Sequence, residues 1–217
     1  MIKGCLFDLD GVLVDTAKYH FLAWKRLAEE LGIEFTHEDN ERLKGVSRMR
    51  SLDIILEIGQ VTLEESQKIT LADKKNEWYK EYIMKMDASE ILSGVAEFLT
   101  HIRANGMKVA LGSASKNSPI ILERTGLSKY FDAIVDGNDV STAKPDPEVF
   151  LLGAERLGLK PEECLVFEDA QAGIEAAQAG GMKVVAVGTE EMLKGGSMYI
   201  QDMKKDFDRL NAFIMEG

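Results

Sequence analysis

Apolar residues fall into two rhythms along the chain. Ile2 to Phe7 is a short apolar run that ends in a carboxylate, Asp8. That is the pattern of a strand buried on both faces whose C-terminal end opens into a site. Lys108–Leu111, Cys164–Phe167 and Lys183–Val187 repeat it, and Ala133–Val135 is a shorter candidate. Helical spacing fills the gaps. Ser118-Pro119 opens one helix, with Ser as N-cap and Pro at the first helical position. Val149–Leu157 and Gly173–Ala179 keep helical periodicity too. Strand alternating with helix from about position 93 predicts a doubly wound α/β fold with a parallel sheet.

Between Asp15 and Ile91 the rhythm changes to three and four, as in Phe21, Trp24, Leu27, Ala28 and Leu31. Further helical blocks follow at Ser51–Ile58, Leu63–Ala72 and Lys75–Met84. About four helices therefore interrupt the α/β pattern after its first strand. The expected division is residues 1–14 and 93–217 as the α/β core and 15–92 as an inserted helical domain. The linkers fall near 14–17 and 85–93.

Composition narrows the class of partner. The 217 residues are 45% hydrophobic and 29% charged, ordinary for a globular chain. No stretch reaches the ~18–20 apolar residues of a membrane span. The early carboxylate at Asp8 leaves no room for a signal-peptide apolar region, so a cytoplasmic location is expected. A net charge of −11 argues against nucleic-acid and membrane partners, because phosphate backbones need a cationic face. A small anionic substrate can still be held by a few focused cations. Cys5 and Cys164 lie in strand-like runs and read as buried free thiols.

In open α/β sheets, ligands bind beyond the carboxyl ends of the strands. There stand Asp8-Leu9-Asp10-Gly11-Val12, then Ser113-Ala114-Ser115-Lys116-Asn117, Lys144-Pro145, and Glu168-Asp169. Four carboxylates at one edge would repel one another without a cation among them. All-oxygen ligands favour a hard ion, and so few carboxylates suit Mg²⁺. Carboxylate, hydroxyl, lysine and Mg²⁺ together are the equipment of phosphoryl transfer. Asp8 would attack phosphorus, and Asp10 would serve as general acid/base with its backbone carbonyl still able to reach the metal. The Gly-rich lysine loop of nucleotide-triphosphate enzymes is absent, and the three His residues lack metal-ligand spacing.

These segments resemble the four signature motifs of the haloacid dehalogenase superfamily. The resemblance covers the chain to about residue 187. It implies a Rossmann-type doubly wound parallel-sheet core with an inserted four-helix bundle cap. Within the superfamily the match is to its sugar-phosphate mutases. Its carriers are Phe7–Val12, Asp15-Thr16-Ala17, Tyr19-His20-Phe21, Ala23-Trp24-Lys25, Leu43–Arg48 with Ser51, Ser113–Asn117 and Glu168–Ile174. The resemblance implies interconversion of β-D-glucose 1-phosphate and β-D-glucose 6-phosphate through β-D-glucose 1,6-bisphosphate. Asp8 and Asp10 are then the catalytic pair, and Asp8, Asp10, Glu168 and Asp169 form the metal site. Ser113 and Lys144 hold the transferring phosphoryl group. Arg48, Ser115, Lys116 and Asn117 grip the other phosphate, Gly45, Val46 and Ser47 line the sugar, and Lys44, Ser51 and Ala114 are further substrate-binding residues. Thr16, His20 and Lys75 couple cap closure to Asp10, and Trp24 reads chiefly as cap core. Met49-Arg50 is less typical of the family. A Mg²⁺-dependent sugar-phosphate phosphatase shares most of this equipment and stands as the alternative, and a non-catalytic binding module needs motif residues to be missing. A monomer is expected, since a moving cap is easier to accommodate outside an interface.

Overall fold

A computed structural model describes residues 1–216. Six parallel strands form one sheet: β1 (Gly4–Phe7), β2 (Lys108–Gly112), β3 (Ala133–Val135), β4 (Cys164–Glu168), β5 (Lys183–Val187) and β6 (Met198–Ile200). Their order is β3-β2-β1-β4-β5-β6. All four residues of β1 are buried, as a central strand covered on both faces requires. Phe7 pairs with Leu111 on one side and with Phe167 on the other. The strand order reverses at β1, so a crevice opens beyond its carboxyl end, where open α/β sheets bind ligands.

Nine α-helices stand among the described residues: α1 (Ala17–Glu30), α2 (His37–Glu41), α3 (Arg48–Gly59), α4 (Glu65–Ile83), α5 (Val95–Ala104), α6 (Ser118–Thr125), α7 (Glu148–Leu157), α8 (Gln171–Ala179) and α9 (Phe207–Glu216). Alternate strand residues feed two hydrophobic clusters, one on each face of the sheet. On one face Phe7 stacks on Phe167 at 4.4 Å between ring centroids, and Phe98 of α5 meets both edge-on. On the other, Leu6, Ala110, Val166 and Val184 pack against Phe150 of α7 and Ile174 of α8. Cys5 and Cys164 are buried free thiols.

Helices α1 to α4 lie between β1 and β2 in the chain. Trp24, Leu27 and Ala28 of α1 share a core with Ile55 of α3 and Ala72, Tyr79 and Ile83 of α4. The two connections to the sheet run side by side. Leu92 N–H donates to the Leu13 carbonyl at 3.0 Å and Asp15 N–H to that of Glu90 at 2.9 Å. The Glu90 carboxylate accepts from Tyr19 Oη at 2.6 Å and Lys18 Nζ at 2.5 Å.

Two expectations change, and a third segment gains elements that no periodicity marked. Leu63–Ala72 and Lys75–Met84 are one continuous helix, because nothing in Asp73-Lys74 breaks a helix. The cap of α6 is Asn117, not Ser118, which is the first helical residue and donates through its hydroxyl to the Ser115 carbonyl at 2.8 Å. Beyond Val187, β6 and α9 complete the sheet and its face.

Candidate active site

Asp8 follows β1 directly, and its N–H extends the ladder to the Phe167 carbonyl at 3.0 Å. That pairing fixes the carboxylate at the crevice. The Asp10 N–H turns back to Asp8 Oδ2 at 3.0 Å, so the loop holds the two carboxylates together. Lys144 Nζ bonds Asp8 Oδ1 at 2.6 Å, Glu168 Oε1 at 2.7 Å and the Gly112 carbonyl at 3.0 Å. Burial works against the lysine's charge, but Asp8 and Glu168 outweigh it and raise its pKa, so it stays protonated. Glu168 lies beneath, buried, with Oε2 taking the Ala170 N–H at 2.8 Å. Burial, with Asp8 behind it, pushes Glu168 up to about 7 against the pull of Lys144.

Asp169 stands against the Asp8–Gly11 loop. Gly11 has φ of 81°, and a Cβ there would collide with the Asp169 carboxylate, so both conformation and space demand glycine. Burial, then Glu168 and Asp8, hold the Asp169 pKa well above the usual carboxylate range. Asp10 is pushed up to about 6, first by burial and then by Asp8. The Thr16 hydroxyl donates to Asp10 Oδ1 from the start of the helical insertion. A carboxyl near 6 is matched to proton transfer at neutral pH.

Among the described residues, no three His, Cys, Asp or Glu side chains are drawn into a closed ligand cluster. The donor chemistry nonetheless suits a hard divalent cation. Asp8, Asp10 and Asp169 offer oxygen alone, and their mutual repulsion is the charge such an ion would balance. Waters and substrate oxygens would complete its shell, as Mg²⁺ prefers.

Beyond this edge opens a cavity of about 480 Å³, walled by the sheet loops on one side and α1, α3 and α4 on the other. Ser115, Lys116 and Asn117 line it after β2, facing Lys44–Arg48 and Ser51 of the helical side. Ser47 caps α3, accepting the Arg50 N–H at 3.2 Å. Gly45, with φ of 70°, brings its loop against the turn after β4: a Cβ there would stand 2.7 Å from Ala170 Cβ. Asn117 Nδ2 reaches across to Asn76 Oδ1 of α4 at 2.9 Å, tying the two walls.

Lys75 is buried, with Nζ 3.2 Å from His20 Nδ1 and over the rings of Trp24 and Tyr79 at 4.4 and 4.6 Å. Burial, then Arg48, brings its pKa down to about 7. His20 is lowered well below its ordinary value by burial and by Lys75 and Arg48, so its imidazole is neutral at neutral pH. Its Nε2 is 3.8 Å from Asp10 Oδ1, beyond hydrogen-bond reach.

Most of the expected residues share this one cavity. Thr16 and Ser113 are fully buried behind it, Ser113 Oγ accepting the Ser115 N–H at 3.1 Å, and Glu168 supports Lys144 from below. Val46 and Ala114 line it, and Trp24 reaches it while remaining a core residue. Asn40, Asp73, Asn76 and Tyr79 also line it and escaped the sequence reading. Polar residues inside helices read as solvated faces, and no motif marks them. The Tyr79 hydroxyl is buried with no hydrogen-bond partner among the described residues.

The haloacid dehalogenase-like hydrolase model matches residues 2–181. The chain belongs to that family. It is 40% identical over 202 residues to the β-phosphoglucomutase of Bacillus subtilis, covering 92% of this chain and 89% of that one. The fructose-1-phosphate phosphatase of Escherichia coli is 36% identical over 184 residues, 85% of this chain and 95% of the relative. The crystal structure of β-phosphoglucomutase from Clostridium difficile superposes with a TM-score of 0.93 at 39% identity, covering 100% of this chain and 98% of that one. Membership makes the chain an enzyme of the haloacid dehalogenase superfamily, with a Rossmann-like parallel-sheet core. No helix among the described residues is long and apolar enough to cross a membrane.

Proposed function

We propose that the enzyme is a Mg²⁺-dependent β-phosphoglucomutase, an isomerase acting on a small sugar phosphate, with residues 15–92 as a cap over the core. One observation carries this reading. A single cavity sets the Asp8–Lys144 pair at one end and Arg48 and the Ser115–Asn117 turn on its flanks. A mutase needs two phosphate subsites, because the bisphosphate binds in both orientations.

Asp8 bearing a phosphoryl group gives it to the C6 hydroxyl of β-glucose 1-phosphate. The new O–P bond forms at C6 as the Asp8 O–P bond breaks, and Asp10 takes the hydroxyl proton. The bisphosphate turns end for end, Asp8 recaptures the C1 phosphoryl group, and Asp10 returns the proton to the departing C1 oxygen. Lys144, held by Asp8 and Glu168, balances charge on the transferring group throughout. Asp8, Asp10 and Asp169, with Glu168 behind them, would hold the metal, which when bound supplies further positive charge there. Ser113 anchors the turn that presents Ser115 and Lys116. The cap loop around Gly45 excludes water, and Thr16 and His20 place the Asp10 carboxyl when the cap is closed.

The identities to B. subtilis and C. difficile β-phosphoglucomutases support the mutase, and the E. coli phosphatase keeps a hydrolytic reading in the test. The protein is incubated with β-glucose 1-phosphate, Mg²⁺ and a trace of the bisphosphate. Glucose 6-phosphate should accumulate with little free phosphate, and chelation of the metal should stop it. Stoichiometric inorganic phosphate without isomerisation makes the enzyme a phosphatase.

A further inference from the structure

Four carboxylates line the cavity among the described residues. Asp8, Asp10 and Asp169 belong to the sheet edge, and Asp73 stands across from them on α4. An acid facing a pocket for phosphates repels what the pocket binds, so its presence there calls for a role. Its neighbour is Arg48: Asp73 Oδ1 lies 3.5 Å from Arg48 Nη1, an ion pair too long for a hydrogen bond. Neither group is committed elsewhere. Asp73 makes no other ion pair or hydrogen bond among the described residues, whereas Lys44 on the same wall is engaged by Glu41 at 2.8 Å.

Charge on this wall is otherwise positive. Burial opposes the charge of Arg48, and Asp73 and Glu77 offset it. Lys75, buried nearby, adds its own repulsion. We propose that Asp73 is a positioning residue that competes with the distal phosphate for Arg48 and so sets how tightly that phosphate is held. The inference rests on the reading of Arg48 as part of the distal phosphate subsite. Its chemical logic follows from a bisphosphate that must let go and turn over within one catalytic cycle. A guanidinium paired loosely with a carboxylate can move to phosphate oxygens and back. An unopposed one would hold the distal phosphate and slow the exchange.

The carboxylate side chain is 69% exposed and that of Arg48 27%, so the competition is worth a modest factor. Exposed ion pairs contribute at most about a few-fold in an equilibrium constant, and direct repulsion of a dianion adds to it. The test uses the full chain with Mg²⁺, with glucose 6-phosphate and inorganic phosphate as calorimetric probes. Asp73→Asn should tighten both by roughly three- to tenfold, lower KM, and lower kcat as release slows. Asp73→Glu should stay within about twofold of wild type. In ~1 M NaCl the gain should shrink to less than about twofold, since screening acts on charge and not on packing. On an Arg48→Gln background most of the gain should vanish. Unchanged or weaker binding by Asp73→Asn overturns the proposal, as does a gain that survives high salt or the loss of Arg48. If wild type binds neither probe, or binds them equally well after Arg48→Gln, the distal-subsite reading fails and the proposal with it. Wild-type binding weakened by Arg48→Gln, with no tightening by Asp73→Asn, overturns the proposal alone.

Discussion

Replacing Lys75 by Met should stabilise the protein at pH 6 while damaging turnover. Lys75 is 3% exposed, and no carboxylate lies within ion-pair distance of its ammonium among the described residues. A neutral imidazole nitrogen and two aromatic faces are what it has instead. Burial, then Arg48, lowers its pKa from 10.5 to about 7. The unfolded chain therefore binds more protons than the folded one between pH 7 and 10.5, so wild-type stability rises with pH across that window. At about 1.4 kcal/mol per unit, the cost of the buried charge is on the order of 5 kcal/mol below pH 7 and about 1 kcal/mol at pH 10. A Met thioether keeps the stem packed between the rings and carries no such cost. Urea titrations of wild type and Lys75→Met at half-unit steps from pH 6 to 10 measure the difference. The variant should lead by several kcal/mol at pH 6, and the two curves should converge by pH 10. Parallel curves, or a variant less stable at pH 6, would show that Lys75 is not an uncompensated buried cation.

Two further substitutions probe how the site is assembled. Gly45→Ala forces a side chain at φ of 70° and presses it against Ala170. It should cut isomerisation at least tenfold while the ratio of inorganic phosphate to glucose 6-phosphate rises, since a lifted cap loop admits water. Gly11→Ala drives a methyl group into the Asp169 carboxylate. A rise of at least tenfold in the Mg²⁺ concentration needed for half-maximal activity is expected, read from metal titrations of turnover.

The core of the fold was readable because its signals are local. β1 is a buried run ended by Asp8, and the Asp8-Leu9-Asp10 spacing states its chemistry before any contact is known. β6 was not readable: three residues, Met198–Ile200, carry no period, and they become a strand because β5 offers a free edge. α4 read as two blocks because the polar pair Asp73-Lys74 leaves a gap in the apolar rhythm, though the helix runs straight through it. Asn76 and Asp73 acquire meaning from partners 41 and 25 residues away, Asn117 and Arg48, and no window along the chain contains both members of either pair. Tyr79 lies within a helical block that carried no named role, and it is a core residue whose hydroxyl is left without a partner among the described residues beside the cavity.

The claim on which the mechanism turns is that the phosphoryl group resides on Asp8 between its two sugar oxygens. Brief incubation with labelled β-glucose 1,6-bisphosphate and Mg²⁺, acid quenching and peptide mass analysis measures this directly. The label should sit on the peptide containing Asp8, disappear with Asp8→Asn, and chase into glucose bisphosphate when unlabelled glucose 6-phosphate is added. Turnover that continues in Asp8→Asn, or label found on another residue, would contradict it.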